Sequence, residues 1–370
     1  MKPILTDFQM IKPLHEKSQD ELNEWLTKCH IKAEQFKSND GPRLKSFFSR
    51  YAVKSSQITK RSFECADTED SLSWEQKKIY RLTPESPQGV NILERNLFFS
   101  ERALNVMQQF YADTKKIPQH LIHVTCTGYV SPSAAQLLVS EKNWSTRVTH
   151  AYHMGCYAAL PAIRIAESLA KTAAEINQPV DIVHTEMCGL HMNPLIHTPE
   201  QIIVQSLFAD GHIKYSVVRE DMASAGDLRI LNVRELIIPD SKQDMSWIPS
   251  SWGMQMTLSR DVPDKIKPQL RGFVESLCPE DWTEVLKNSI FAIHPGGPKI
   301  IEAVQKVLEL RDDQCQQSKK ILLERGNMSS ATLPHIWREI VESKPRSGTK
   351  IVSLAFGPGL TLFGSLFEVV

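Results

Sequence analysis

The 370-residue sequence carries no surplus of either charge, with 43 Lys and Arg against 43 Asp and Glu. Without a basic excess it offers no electrostatic footprint for nucleic acid, and it has no acidic tail. No apolar run reaches the roughly 20 residues that span a bilayer. Residues 1–10 lack the charged head, apolar core and cleavage site of an export signal. The seven cysteines follow no regular spacing, so no disulfide framework is expected and the chain reads as cytoplasmic. There is no Cys-x-x-Cys pair. His184, Cys188, His191 and His197 are interleaved with an apolar strand, so they are not read as zinc ligands, and no metal site is expected. No internal repeat is visible, although the length suffices for one large core or two related ones.

What is present is an alternation of short apolar runs with helix-period stretches. Residues 121–125, 146–152, 180–186 and 213–219 read as strands, and 133–140 and 200–208 as helices, with a turn at Asp210-Gly211. Residues 350–355 and 361–369 flank Gly357-Pro358-Gly359 as a hairpin. Residues 19–36 read as an amphipathic helix, and 38–43, 240–251 and 342–350 as loops. The class is α/β.

The most informative segment is Tyr152-His153-Met154-Gly155-Cys156-Tyr157-Ala158-Ala159-Leu160-Pro161. Gly155 permits a sharp turn just before the sulfur. Ile163, Ala166, Leu169 and Ala170 then recur at helical steps, with Pro161 tolerable only near the start. Cys156 is thereby placed at a helix N-terminus, where free amides and the dipole favour a thiolate. A buried, inert cysteine is the alternative. In Ile290-Phe291-Ala292-Ile293-His294-Pro295-Gly296-Gly297-Pro298 an apolar strand ends at His294 and a helix follows the turn. In Glu324-Arg325-Gly326-Asn327-Met328-Ser329-Ser330-Ala331-Thr332, Asn327 stands before a helix, where it is either a cap or a working amide. Taken together, a thiol, an imidazole and a neutral amide suit acyl transfer through a thioester with an oxyanion or enolate to stabilise.

Gly155-Cys156, His294-Pro295-Gly296-Gly297-Pro298, Gly326-Asn327-Met328-Ser329-Ser330-Ala331 and Phe356-Gly357-Pro358-Gly359-Leu360 stand in an order and spacing similar to the chalcone synthase-like family. These are the type III polyketide synthases of the thiolase superfamily. Cys156 to His294 is 138 residues and His294 to Asn327 is 33. Glu186 and Ser206-Leu207-Phe208-Ala209-Asp210-Gly211 extend the match, which covers the chain from about Lys45 onward and looks closer to bacterial members. The resemblance implies a thiolase-like fold of two similar halves in α-β-α-β-α layers, with residues 1–222 carrying the cysteine and 223–370 the histidine and asparagine.

The resemblance also implies a chemistry. Cys156 would take an acyl group from acyl-CoA, and His294 would keep the sulfur ionised. His294 and Asn327 would hold the malonyl-CoA carbonyl as carbon dioxide leaves. Phe208 would shield the site, with plain core packing as its alternative. Met256 stands where the family has a second gatekeeper phenylalanine. Glu186 would position water or steer cyclisation, or else form a structural ion pair, and the stretch after it would line the acyl cavity. Lys54, Lys60 and Arg61 resemble the segment that binds CoA phosphates, with a solvated surface as the alternative. Gly297 and Lys299 complete the implied substrate contacts. No cofactor is implied beyond the CoA of the substrates. A homodimer is implied, and an acyl carrier protein remains open as a donor.

Ala158-Ala159-Leu160-Pro161, Met256, and Ser131 in place of a methionine that crosses the dimer in plant enzymes all depart from the plant pattern. They favour an aliphatic starter and an alkylpyrone or alkylresorcinol product. A single-round ketoacyl synthase III-like enzyme is the second enzymatic reading. A degenerate acyl-binding protein is the non-enzymatic one.

Overall fold

The computed structural model describes residues 2–36, 41–114, 116–172, 178–278 and 282–370. Its strands are β1 (Ile4–Ile11), β2 (His15–Ser18), β3 (Lys60–Phe63), β4 (His120–Thr125), β5 (Arg147–Tyr152), β6 (Val180–Met187), β7 (Asp210–Val218), β8 (Leu228–Ile237), β9 (Met245–Pro249), β10 (Met254–Leu258), β11 (Ile290–Ile293), β12 (Lys350–Gly357) and β13 (Thr361–Val369). Its α-helices are α1 (Gln19–Glu34), α2 (Gly41–Tyr51), α3 (Ile92–Phe110), α4 (Ala134–Glu141), α5 (Ala159–Thr172), α6 (Pro199–Leu207), α7 (Val262–Leu277), α8 (Trp282–Asn288), α9 (Pro298–Leu308), α10 (Gln316–Arg325) and α11 (Thr332–Glu342). The starts of these helices are written locally. Ser18 and Ser133 form capping boxes with Glu21 and Gln136, and Thr198 caps α6 with Pro199 in its first turn.

Nine strands join in one hydrogen-bonded array, ordered β11-β12-β13-β8-β1-β7-β6-β4-β5. Within it, β4 lies parallel to β6, β6 antiparallel to β7, and β7 antiparallel to β1. In the same way β11 lies parallel to β12, β12 antiparallel to β13, and β13 antiparallel to β8. The chain visits both quartets in the same order. They meet where β1 pairs with β8, through Ile4 with Arg229 and Leu5 with Leu228.

Neighbouring apolar residues on a strand point to opposite faces, and here both faces are buried. Ile122 and Ile182 pack into a central core with Ile163 of α5 and Ile336 and Trp337 of α11. Ile351 and Phe367 of the second quartet enter that same core. Leu121 and Val183 turn instead to Leu26 of α1, Phe99 and Val106 of α3 and Leu138 of α4. Val352 and Leu354 turn to Ile266 and Leu270 of α7 and Ile301 and Val304 of α9. Helices therefore cover the outer face of each quartet, and α5 and α11 fill the space between. This is the α-β-α-β-α order, and it explains why the strands read as unbroken apolar runs.

Three local expectations change. Asp210-Gly211 is no turn: it opens β7, pairing with Met187 and Glu186. Residues 240–251 are only partly loop, because β9 pairs with β10 as a hairpin over Met245–Leu258 pairings such as Trp247 with Met256. Of the expected loop 38–43, residues 38–40 lie outside the described residues, and Gly41 already begins α2. The remaining loop, 343–349, joins α11 to β12 as expected.

Candidate active site

Cys156 lies three residues before α5, in a turn closed by Ala158 N–H on the Gly155 carbonyl at 3.1 Å. The dipole is thus one turn away rather than at the sulfur. Gly155 has φ +80°, and a Cβ there would stand 2.6 Å from Pro358 Cδ. A Cβ on Gly357 would stand 2.1 Å from the Tyr157 ring. The Gly357-Pro358-Gly359 turn of the second half is therefore the backing against which the cysteine turn is moulded, and both glycines serve that close approach.

Asn327 is fully buried and enters through the backbone. Its N–H donates to the Leu207 carbonyl at 3.0 Å, and its carbonyl accepts from Ala209 N–H at 2.8 Å, a one-residue parallel bridge with Phe208. Its side-chain Oδ1 accepts from Ser329 N–H at 2.9 Å and from the Thr332 hydroxyl at 3.3 Å. That fixes the amide and leaves Nδ2 as a buried donor with no partner. His294 follows β11, and its N–H donates to the Leu354 carbonyl at 2.8 Å. Both of its ring nitrogens are buried and unpartnered. Buried polar atoms are normally paired, so the unpaired nitrogens of His294 and Asn327 stand out as candidate ligand-binding groups.

Burial acts against charge on both the thiol and the imidazole. It pushes the Cys156 thiol up to about 12, with the Glu186 carboxylate adding to the rise; the donor groups of Ser329 and Asn327 near the sulfur act in the opposite direction. Burial pulls His294 down to about 3, so its imidazole is neutral, with one N–H and one free lone pair. A thiolate–imidazolium pair would have to overcome the burial of both partners.

Cys156 opens on a largely apolar cavity. Phe208 and Met256 line it, as do Cys188, Gly189, His191 and Met192 of the stretch after Glu186. The histidines on either side of Glu186 have protein partners: His191 bonds the Thr127 carbonyl at 2.9 Å, His197 the Pro194 carbonyl at 2.9 Å, and His184 the Ser330 and Tyr215 hydroxyls. Glu186 is fully buried and is not among the lining residues. Among the described residues no cation pairs with it. Its carboxylate accepts from Cys126 N–H at 3.0 Å, from the Thr127 hydroxyl at 2.9 Å, from the Thr125 hydroxyl at 3.3 Å and from the Ser330 hydroxyl. Burial raises its pKa while these donors lower it. Of its two alternatives, the ion pair is thus replaced by a hydroxyl cage.

The basic segment separates into two kinds. Lys54 is exposed, with its ammonium on the Ser49 carbonyl, and Lys60 pairs with Glu16 at 3.2 Å. Arg61 corrects the expectation of a surface phosphate ligand, since it is only 1% exposed and lines the cavity. Gly297 caps α9 and Lys299 is exposed on its first turn; neither borders the cavity. Ser131 is exposed.

Several contributors escaped the sequence reading. Leu22, Trp25 and Leu26 of α1 form cavity wall, as do Cys126, Thr127 and Ser329. The buried stripe of α1 was readable as a helix face, but nothing in it says what it covers. Thr125 and Thr127 carried a weak signal, two hydroxyls at the end of an apolar strand.

A family model described as chalcone and stilbene synthases, C-terminal domain, matches residues 230–370. Type III polyketide synthase C of Arabidopsis thaliana is 26% identical over 258 residues, covering 67% of this chain and 67% of that protein. Type III polyketide synthase pspB of Penicillium soppii is 28% identical over 317 residues, covering 75% and 78%. The crystal structure of PKS-I from the brown alga Ectocarpus siliculosus shares the fold, with a TM-score of 0.84 at 20% identity over 100% of this chain and 98% of that one. Residues 230–370 thus carry a chalcone and stilbene synthase C-terminal domain, and the chain is similar over two thirds or more of its length to type III polyketide synthases, which marks it as an acyl-transferring condensing enzyme.

Proposed function

We propose that the protein extends an aliphatic acyl-CoA starter with successive malonyl-CoA units and releases an alkylpyrone- or alkylresorcinol-type product. What supports this reading is the set of buried, unpartnered side-chain nitrogens on His294 and Asn327, together with a Cys156 that lines a largely apolar cavity. Cys156 Sγ attacks the starter thioester, its proton passes to the neutral His294, and CoA leaves as the thiol, giving an acyl-cysteine. Malonyl-CoA then loses carbon dioxide. The enolate oxygen is held by the His294 N–H and the Asn327 Nδ2–H, which cost no reorganisation because they already lack partners. The enolate carbon attacks the cysteine thioester, the C–S bond breaks, and the β-ketoacyl-CoA can return to Cys156 for a further round.

Residues 1–222 form the cysteine half and 223–370 the histidine and asparagine half, a division supported by the repeated strand order. Met256 leaves room where an aromatic ring would narrow the cavity, and Phe208 shields the sulfur; both side chains on the wall support these roles. Lys54, Lys60 and Lys299, as exposed cations, suit CoA phosphates. The protein works as a cytoplasmic homodimer with CoA thioesters and no other cofactor.

The test is a product series. The protein is incubated with acyl-CoAs from acetyl to palmitoyl plus malonyl-CoA, beside Cys156→Ala, and products are read by mass spectrometry. Multiply extended pyrones or resorcinols that vanish in the variant are expected. Products of one extension only would replace this reading with a ketoacyl synthase III-like one.

A further inference from the structure

Among the residues that line the cavity, three carry a second set of unanswered polar atoms. Trp25 Nε1, Arg61 Nη2 and Thr68 Oγ1 are buried without a hydrogen-bond partner, and all three residues line the cavity. They come from three separate elements: α1, β3 and the single turn at Ala66–Thr68.

Each is held where it stands. Arg61 Nε donates to Gln19 Oε1 at 2.8 Å, and Nη1 donates to the carbonyls of Gln205 at 3.0 Å and Phe208 at 2.6 Å. The rest of the guanidinium is therefore committed, and only Nη2 is left over. The turn bearing Thr68 is pinned by the Asp67 carboxylate, which accepts from Ile79 N–H at 2.8 Å and Tyr80 N–H at 2.6 Å. The Trp25 ring meets Tyr80 edge-on at 5.5 Å. Apolar Leu22, Leu26 and Phe63 share the wall with them. A plain alkyl chain would fill the apolar part and leave three polar atoms unpaired, an arrangement that proteins avoid. Two donors and a hydroxyl match an oxygen acceptor on the occupant.

We propose that Trp25, Arg61 and Thr68 form an oxygen-binding subsite of the acyl cavity, holding a carbonyl or hydroxyl oxygen on the chain carried by Cys156. The proposal rests on the reading that Cys156 carries the chain. The oxygen comes either from an oxygenated starter or from the β-keto groups of the growing chain. A site built to hydrogen-bond such an oxygen rejects the chain that lacks it.

The test uses the full chain and two near-isosteric variants, Trp25→Phe and Thr68→Val. Arg61 is left intact because it also ties down the backbone before β7. A medium-chain acyl-CoA and its terminally hydroxylated analogue of equal carbon count compete for Cys156, with adducts read by intact mass. In parallel, the number of malonyl units added to the plain starter is counted. If the oxygen belongs to the starter, the protein prefers the hydroxylated analogue by about tenfold and each variant approaches parity. If it belongs to the growing chain, each variant releases products with fewer units. Both readouts are ratios, which a loss of folded protein does not move. No preference in the parent protein together with unchanged unit counts in both variants would overturn the subsite. A parent protein that forms no adduct with any starter defeats instead the reading on which the subsite rests, and the intact mass shows this separately.

Discussion

The two strand quartets have the same order and pairing sense, and they differ in what runs between their parallel strands. From β4 the first half passes through α4, the strand β5, the Cys156 turn and α5 before β6. From β11 the second half passes through α9, α10, the Asn327 segment and α11 before β12. β5 pairs along β4 from His120 with Arg147 to Thr125 with Tyr152. The corresponding stretch of the second half builds no strand beside β11. It makes one bridge, to Phe208 of the first half. A repeated scaffold thus yields a one-sided site: the departure from symmetry is what carries Asn327 across to the cysteine.

The strongest way to break this comparison is at the crossing residue. Asn327→Ala should lower the condensation rate by about 10²–10³-fold, while the Cys156 acyl adduct still forms with starter alone. Loss of the adduct as well would mean that the bridge is a fold element and the amide no working group.

Removing the other donor separates binding from ionisation. Burial and the Glu186 carboxylate raise the Cys156 pKa, and in the proposed mechanism the neutral His294 opposes them only by taking the proton as the sulfur ionises. His294→Ala should shift the pH profile of Cys156 alkylation upward by at least about one unit, a tenfold loss of thiolate at a given pH below the pKa. An unmoved profile would remove His294 from the ionisation of the sulfur.

A third change tests the moulding of one half on the other. Gly155→Ala combines φ +80° with a contact of 2.6 Å on Pro358. It should cost about 1–3 kcal/mol in denaturant melts, and activity should fall more than stability as the sulfur moves. Full activity would show that the turn accommodates a methyl group.

The mildest change concerns a charged cluster on the first half alone. Burial would raise the Glu64 pKa, but the hydrogen bond from His212 at 3.0 Å and the charges of His212 and Arg102 lower it. A carboxylate with a depressed folded pKa stabilises above its unfolded value and loses that contribution as pH falls through the folded one. Glu64→Gln should therefore melt below the parent protein at neutral pH, and the gap should close as the solution is acidified. A gap that widens in acid would reverse the assignment.

The site was legible where its chemistry is local. Gly155 before Cys156, the Pro-Gly-Gly-Pro turn after His294 and Gly326 before Asn327 are short-range signals, since turns leave their residue preferences in the sequence. The layered α/β order was legible as well, because strands buried on both faces read as unbroken apolar runs. What escaped depends on distant partners. Arg61 looks like a surface cation beside Lys60, and only the carbonyls of Gln205 and Phe208 and the amide of Gln19 make it an interior residue. The β9–β10 hairpin was hidden by polar residues in 240–251, whose strand preference is set by the cross-strand partners they meet. The bridge of Asn327 to Phe208 is one residue long and leaves no period to detect.

β1 is the strap that joins the quartets, pairing with β7 along one edge and β8 along the other. It leaves the ribosome before either partner exists. Lys2, just ahead of it, finds Glu220 from a distance of 218 residues. The strap must remain unpaired while the whole first half is synthesised, and closing it is a long-range event of the kind that slows folding. A nascent chain paused before β8 emerges would hold a half-built sheet in which β1 is an open edge as well as β5. That interval is when the protein is most exposed to misassociation and most in need of a chaperone.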